Sequence, residues 1–127
     1  MANGYAGKIL WADLTEGRVW TEQPDEAFYR RYLGAAGFVA YYLLTEVPKG
    51  ADPLGPDNVL VMAGGAITGL PVAGSGRSAV GCKSPLTGGW GEADGGGYFG
   101  AELKRAGYDA LVVKGSAESP VWLDITP

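Results

Sequence analysis

Hydrophobic and polar positions change rhythm several times along this chain. Lys8 to Asp13 and Arg18 to Glu22 are short strand-like runs separated by Thr15-Glu16-Gly17, a turn signature, and together they predict a β-hairpin. Pro24-Asp25-Glu26 opens a helix, because acids in a first turn suit the positive end of the helix dipole. Phe28, Tyr32 and Leu33 supply its apolar stripe, and Gly34 is placed to end it. A second helix is predicted over Phe38 to Glu46, with Val39, Tyr42, Leu43 and Val47 on one face and Pro48 as its stop. Tyr29, Tyr32, Tyr41 and Tyr42 read as helix packing rather than a base-stacking platform, since no basic groove accompanies them.

Asp52 to Asn58 is a loop stiffened by Pro53 and Pro56. Val59 to Ala63 is a continuous apolar run suited to a buried strand. From Gly64 to Gly100 glycines take over, with a short strand at Arg77 to Cys82 and a turn at Ser84 to Gly89. Gly95-Gly96-Gly97 leads into a helix over Tyr98 to Ala106, with Phe99 and Leu103 facing inward and Gly107 ending it. Asp109 to Lys114 and Pro120 to Ile125 read as two strands joined by a turn at Gly115-Ser116. The fold class is therefore α+β: a β-rich domain with mainly antiparallel sheets and hairpins plus about three short helices. The whole span 1–127 reads as one domain, and its stop at Pro127 directly after a predicted strand suggests a piece of a longer multidomain chain.

Composition narrows the chemistry. The net charge of -4, from 10 basic and 14 acidic residues, argues against duplex nucleic acid, which demands a dense basic footprint. There is no histidine, so the commonest general base and neutral metal ligand are missing. The lone Cys82 cannot close an internal disulfide or supply a cluster, and it reads as a small packed residue in a chain from a reducing, cytoplasmic setting. Met1 to Lys8 lacks the pattern of a secretory leader, and no apolar run approaches the roughly 18 residues of a membrane span. Neither a catalytic residue nor a metal ligand stands out.

Glycine changes the picture most, with 22 in 127 residues, interleaved with 4 tryptophans and 7 tyrosines. Such clustering marks backbone that turns sharply or lets something approach closely. Two segments are candidates for an anion site. In Gly74-Ser75-Gly76-Arg77, small residues bring the backbone near a ligand, and the guanidinium offers a planar fork of donors for phosphate. In Ala93-Asp94-Gly95-Gly96-Gly97-Tyr98, three glycines before a helix start offer free amides. Neither matches the Walker pattern or the dinucleotide fingerprint. Each taken alone also fits a plain turn. Glu92 and Asp94 form a carboxylate pair nearby, and two such acids in a loop are more often simply solvated than functional.

Taken together, the motifs resemble the N-terminal domain of aldehyde ferredoxin oxidoreductases over nearly the whole chain. The likeness runs through Gly7-Lys8-Ile9-Leu10, Asp13-Leu14-Thr15, Tyr32-Leu33-Gly34 and Asp52 to Asn58. It is most specific at Gly76-Arg77, Lys83 to Gly88, Gly96 to Lys104 and Ala106 to Ala110. The resemblance implies a tungsten or molybdenum bis-pterin (tungstopterin or molybdopterin) with bridging magnesium. It also implies a four-iron four-sulfur cluster that this chain does not hold, its cysteines lying in later domains. The implied activity is oxidation of aldehydes to carboxylic acids with electrons passed to ferredoxin. The implied partners are the later domains, ferredoxin, a small aldehyde and further copies of the chain.

By that likeness Arg77 meets the phosphate-bearing side of the pterin, with Gly76 beside it. The backbone around Asp94 faces the magnesium-bridged phosphates and Gly96 lets the pterin approach, with Gly95 and Gly97 beside it in the same cofactor-binding loop. Family members often carry asparagine where this chain has Asp94, a change that is tolerable where only the backbone carbonyl is used. Two other readings stay open at this point: a stand-alone binding or assembly module without activity, and a generic phosphate- or nucleotide-binding protein.

Overall fold

The computed structural model describes residues 3–126; Met1, Ala2 and Pro127 lie outside the described residues, and with them the start of the Met1 to Lys8 stretch. In chain order the elements are β1 (Ile9–Asp13), β2 (Arg18–Glu22), α1 (Glu26–Tyr32), α2 (Ala36–Glu46), β3 (Val59–Gly64), β4 (Ser78–Lys83), β5 (Trp90–Gly95), α3 (Phe99–Arg105) and β6 (Ala110–Lys114). The six strands form one sheet in the order β2-β1-β6-β3-β4-β5. Neighbours are antiparallel except β1 and β6, which run parallel. The α+β class with mainly antiparallel pairing and three helices stands.

Local chemistry accounts for the early elements. The β1–β2 turn closes because Asp13 Oδ1 accepts from the backbone N–H groups of Thr15 and Glu16, at 3.0 and 3.1 Å. Asp25 caps α1 by accepting from Phe28 N at 2.9 Å. The helix ends one residue earlier than the glycine signal suggests: Leu33 already adopts the left-handed conformation, φ 61°, and donates to Tyr29 O. Gly34 follows with φ 105° and has a different task. A Cβ there would sit 2.5 Å from Gly64 O, so only glycine lets this corner touch the end of β3.

Helices α1 and α2 cover one face of the sheet. That face presents Ile9, Trp11, Val61, Ala79, Ala110 and Val112, and these pack with Tyr29, Phe38, Val39 and Tyr42 into the core. Phe38 and Tyr29 are fully buried and Tyr42 nearly so; each large apolar side chain taken from water contributes about 1.5–3 kcal/mol. The helix packs so closely that a Cβ on Gly81 would lie 2.2 Å from Val39 Cγ1. Phe28 makes ring contacts with Tyr29, Tyr32, Phe38 and Tyr41, so the tyrosine stripe is indeed packing.

Three expectations are corrected. Pro120 to Ile125 forms no strand. Its expected hairpin partner, β6, lies inside the sheet between β1 and β3, so both of its edges are already paired. Second, Glu92 and Asp94 belong not to a loop but to an edge strand, β5, paired residue for residue with β4 from Lys83↔Trp90 to Ser78↔Gly95. Glycine and acids have low strand propensity; the Ser84–Gly89 turn, closed by Ser84 N→Gly89 O and Gly88 N→Ser84 O at 2.8 Å each, brings them alongside β4 anyway. Third, Leu103 is buried as expected, but Phe99 remains 43% exposed. Cys82 is half-buried on β4.

Candidate functional site

The β4–β5 register decides the geometry of the glycine segments. Ser78 stands opposite Gly95 and Ala79 opposite Asp94, so Arg77, immediately before β4, lies at the same sheet end as Gly96, immediately after β5. A Cβ on Gly76 would be 3.5 Å from Gly97 O. The two motifs are therefore one surface: Gly76, Arg77, Asp94, Gly95, Gly96 and Gly97 come together. Arg77 and Asp94 are exposed. The Arg77 guanidinium has no hydrogen-bond or ion-pair partner among the described residues. Helix α3 has only seven residues, so the loop amides, rather than a long helix dipole, are what this surface offers an anion.

The glycines of this surface divide by cause. Gly74 and Gly97 have φ of 82° and 99°, so the turns themselves demand glycine. Gly95 and Gly96 have no positive φ, and a Cβ on either would meet no heavy atom within 4 Å. Nothing among the described residues requires them to lack a side chain. A surface left bare in this way, beside an unpartnered guanidinium, suits a flat anionic cofactor that must come close to the backbone.

The loop from β3 to β4 that carries Arg77 is held from within. Thr68 Oγ1 accepts from Gly65 N and donates to Arg77 O, both at 2.8 Å. Ser75 Oγ donates to Leu70 O at 2.5 Å, and Gly69 N donates to Ser75 O at 3.1 Å. Both hydroxyl residues are buried. On α3, Lys104 Nζ donates to Gly4 O, to Gly65 O at 3.0 Å and to Ala66 O at 3.3 Å, tying the same loop to the N-terminal segment. Motif reading missed Thr68; it took Ser75 only as a small residue of the Gly74–Arg77 segment and Lys104 only as the end of the Gly96–Lys104 likeness. The available signal was a lone threonine and a lone serine among loop glycines, the pattern of hydroxyl-stabilised turns.

Among the described residues no three His, Cys, Asp or Glu side chains converge as metal ligands, and no helix is long and apolar enough to cross a membrane. Clefts are found away from the glycine surface. One lies between the β1–β2 turn and the 56–59 segment, lined by Asp13, Glu46, Asp57 and Lys114. Another lies at the end of α2, lined by Leu43, Leu44 and Trp90.

Residues 9–127 match the family model described as aldehyde ferredoxin oxidoreductase, N-terminal domain. The chain belongs to this family. It is 48% identical over 122 residues to the tungsten-containing aldehyde ferredoxin oxidoreductase of Pyrococcus abyssi, a match covering 96% of this chain and 20% of that protein. It is 36% identical to the aliphatic sulfonate oxidoreductase, WOR-like subunit, of Pyrococcus furiosus, over 95% of this chain and 20% of that one. Among solved structures, the active-site complex BamBC of benzoyl coenzyme A reductase, in complex with 1,5-dienoyl-CoA, superposes with a TM-score of 0.89 at 34% identity. That superposition covers 94% of this chain and 18% of the other. The chain thus spans about 20% of the length of the curated relatives it matches.

Proposed function

We propose that this chain is the cofactor-binding N-terminal domain, residues 1–127, of a longer cytoplasmic oxidoreductase. It would supply part of a bis-pterin site for tungsten or molybdenum, with magnesium as a further cofactor ion. The parent enzyme oxidises aldehydes to carboxylic acids and passes electrons to ferredoxin through an iron–sulfur cluster held by its later domains. The observation that carries this reading is that Arg77, without a partner among the described residues, stands beside Gly95 and Gly96, which no contact among those residues requires to be glycine. The tungsten-containing relatives support the choice of cofactor.

When bound, the metal–pterin supplies the redox chemistry. The residues of this chain bind and orient. Arg77 would hold a phosphate oxygen by charge-assisted hydrogen bonds, and the bare backbone at Gly95–Gly97 would let the ring system lie close. The backbone at Asp94 would face the phosphates, and its carboxylate lies on an exposed edge where water screens it. The open form of the surface suits one half of a site that later domains complete. Relatives named for an aldehyde, an aliphatic sulfonate and a coenzyme A ester share this domain, which favours cofactor binding over substrate selection as its task.

The test is metal and pterin content per chain in the full-length protein. Arg77→Ala removes a charge-assisted bond of about 1.5–3 kcal/mol, so cofactor affinity falls roughly tenfold to hundredfold while the thermal midpoint barely moves. Arg77→Lys recovers part of the loss, keeping charge without the planar fork. Full occupancy in Arg77→Ala would return this surface to a plain turn.

A further inference from the structure

Thr68 lies between the Arg77 end of the glycine surface and the start of α3. Its hydroxyl accepts from Gly65 N and donates to Arg77 O. Its methyl covers the start of α3 so tightly that a Cβ on Gly100 would lie 2.8 Å from Thr68 Cγ2. The side chain is 5% exposed, and the same hydroxyl bonds the two ends of the 65–77 loop. We infer that Thr68 is a positioning residue for Arg77: its hydroxyl fixes the Arg77 carbonyl, and with it the direction from which the guanidinium leaves the backbone towards the cofactor.

Three features of the contact support this. The Arg77 carbonyl is the acceptor immediately before β4, so anchoring it sets where the strand begins and how Arg77 is presented. The guanidinium has no partner of its own among the described residues, so nothing else at the tip of the side chain aims it. The hydroxyl both accepts and donates, hence its direction is determined rather than free to rotate. Serine keeps this function, whereas valine keeps the shape and loses it.

The inference rests on the proposed contact between Arg77 and the cofactor phosphate, so the experiment includes Arg77→Ala as its own reference. Full-length Thr68→Val, Thr68→Ser, Arg77→Ala and the Thr68→Val/Arg77→Ala double variant are purified. Tungsten, molybdenum and pterin per chain are measured beside the unfolding midpoint. Thr68→Val is expected to lower cofactor affinity about tenfold, the upper scale of one neutral hydrogen bond, here from the hydroxyl to the Arg77 carbonyl. Thr68→Ser should retain cofactor near the wild-type level. In the Arg77→Ala background Thr68→Val should cost no further cofactor, because a residue acting through Arg77 has nothing left to position. Any loss of stability should by contrast be the same in both backgrounds.

If Arg77→Ala itself retains full cofactor, the proposed phosphate contact fails and this inference falls with it. If Arg77→Ala loses cofactor but Thr68→Val does not, or if the two losses add fully, the positioning role alone is overturned. Should Thr68→Val not fold, Thr68→Ser decides: cofactor loss as large as that of Arg77→Ala would show that the methyl, not the hydroxyl, matters.

Discussion

Lys104 Nζ lies 3.8 Å from Asp109 Oδ1, with the Asp109 side chain 1% exposed. The carboxylate also accepts from Ala6 N at 2.9 Å and Gly7 N at 2.7 Å. The ammonium donates to carbonyls on the N-terminal segment and the 65–66 loop. One ion pair therefore joins three parts of the chain that are remote in sequence, next to the loop that carries Arg77.

Removing one member should be costly. Lys104→Met leaves a buried carboxylate without its cation, and Asp109→Asn leaves a half-buried ammonium without its anion. Breaking a buried pair from one side costs about 3–5 kcal/mol. Chemical denaturation of either variant should show a lowered midpoint with little change in slope. A change within about 0.5 kcal/mol would place the pair among surface bridges of little consequence.

Alkaline pH should destabilise the fold through Tyr29 and Tyr42. Burial raises the pKa of both above the ordinary tyrosine value of about 10. The Tyr42 hydroxyl donates to Glu22 Oε2 at 2.8 Å, an oxygen that also accepts from Trp11 Nε1. The Tyr29 hydroxyl has no partner within bonding geometry among the described residues, although the Asp109 carboxylate is near enough to add to its shift. A raised folded pKa gives stability that is complete below the unfolded pKa and lost as pH rises towards the folded one. The thermal midpoint should therefore be flat up to about pH 10 and fall above it. Tyr42→Phe should reduce the slope of that fall; an unchanged slope would remove Tyr42 from the account.

Glycine substitutions should separate folding from binding. Gly81→Ala puts a carbon 2.2 Å from Val39 Cγ1 and 3.0 Å from Gly91 O, overpacking that costs about 1–3 kcal/mol. Gly96→Ala meets open space and an ordinary φ, so the fold should be unaffected or gain slightly from reduced chain entropy. In the full-length protein, however, Gly96→Ala should lower pterin content. Thermal midpoints and cofactor analysis of the two variants side by side give the comparison, and a Gly96→Ala protein with full cofactor would contradict the close approach.

The 127-residue chain by itself should self-associate. Trp122 is 87% exposed, Tyr98 82% and Val121 55%, and exposed apolar patches of this kind drive association. Light scattering over a concentration series should show mass rising with concentration. A constant monomer mass would indicate that the C-terminal segment and α3 shield one another in solution.

Residue order alone determined the elements whose causes are local. Asp13 and the residues after it dictate the first turn, Asp25 caps α1, and the spacing of Val39, Tyr42 and Leu43 fixes the buried face of α2. It also marked Gly76, Arg77 and Gly95–Gly97 as backbone open to an anion, because glycine and arginine advertise those properties individually. Tertiary structure decided what depends on partners far along the chain. It placed β6 inside the sheet between β1 and β3, so Pro120 to Ile125 cannot pair with the strand that precedes it in sequence. It drew Trp90–Gly95 into a strand against their own propensity. It set Arg77 and Gly96 at one sheet end through a register that no short window contains, and it buried Thr68 beneath them. A side chain's local preference is written in its own residue, whereas strand pairing and burial are settled only when distant segments compete for the same edge.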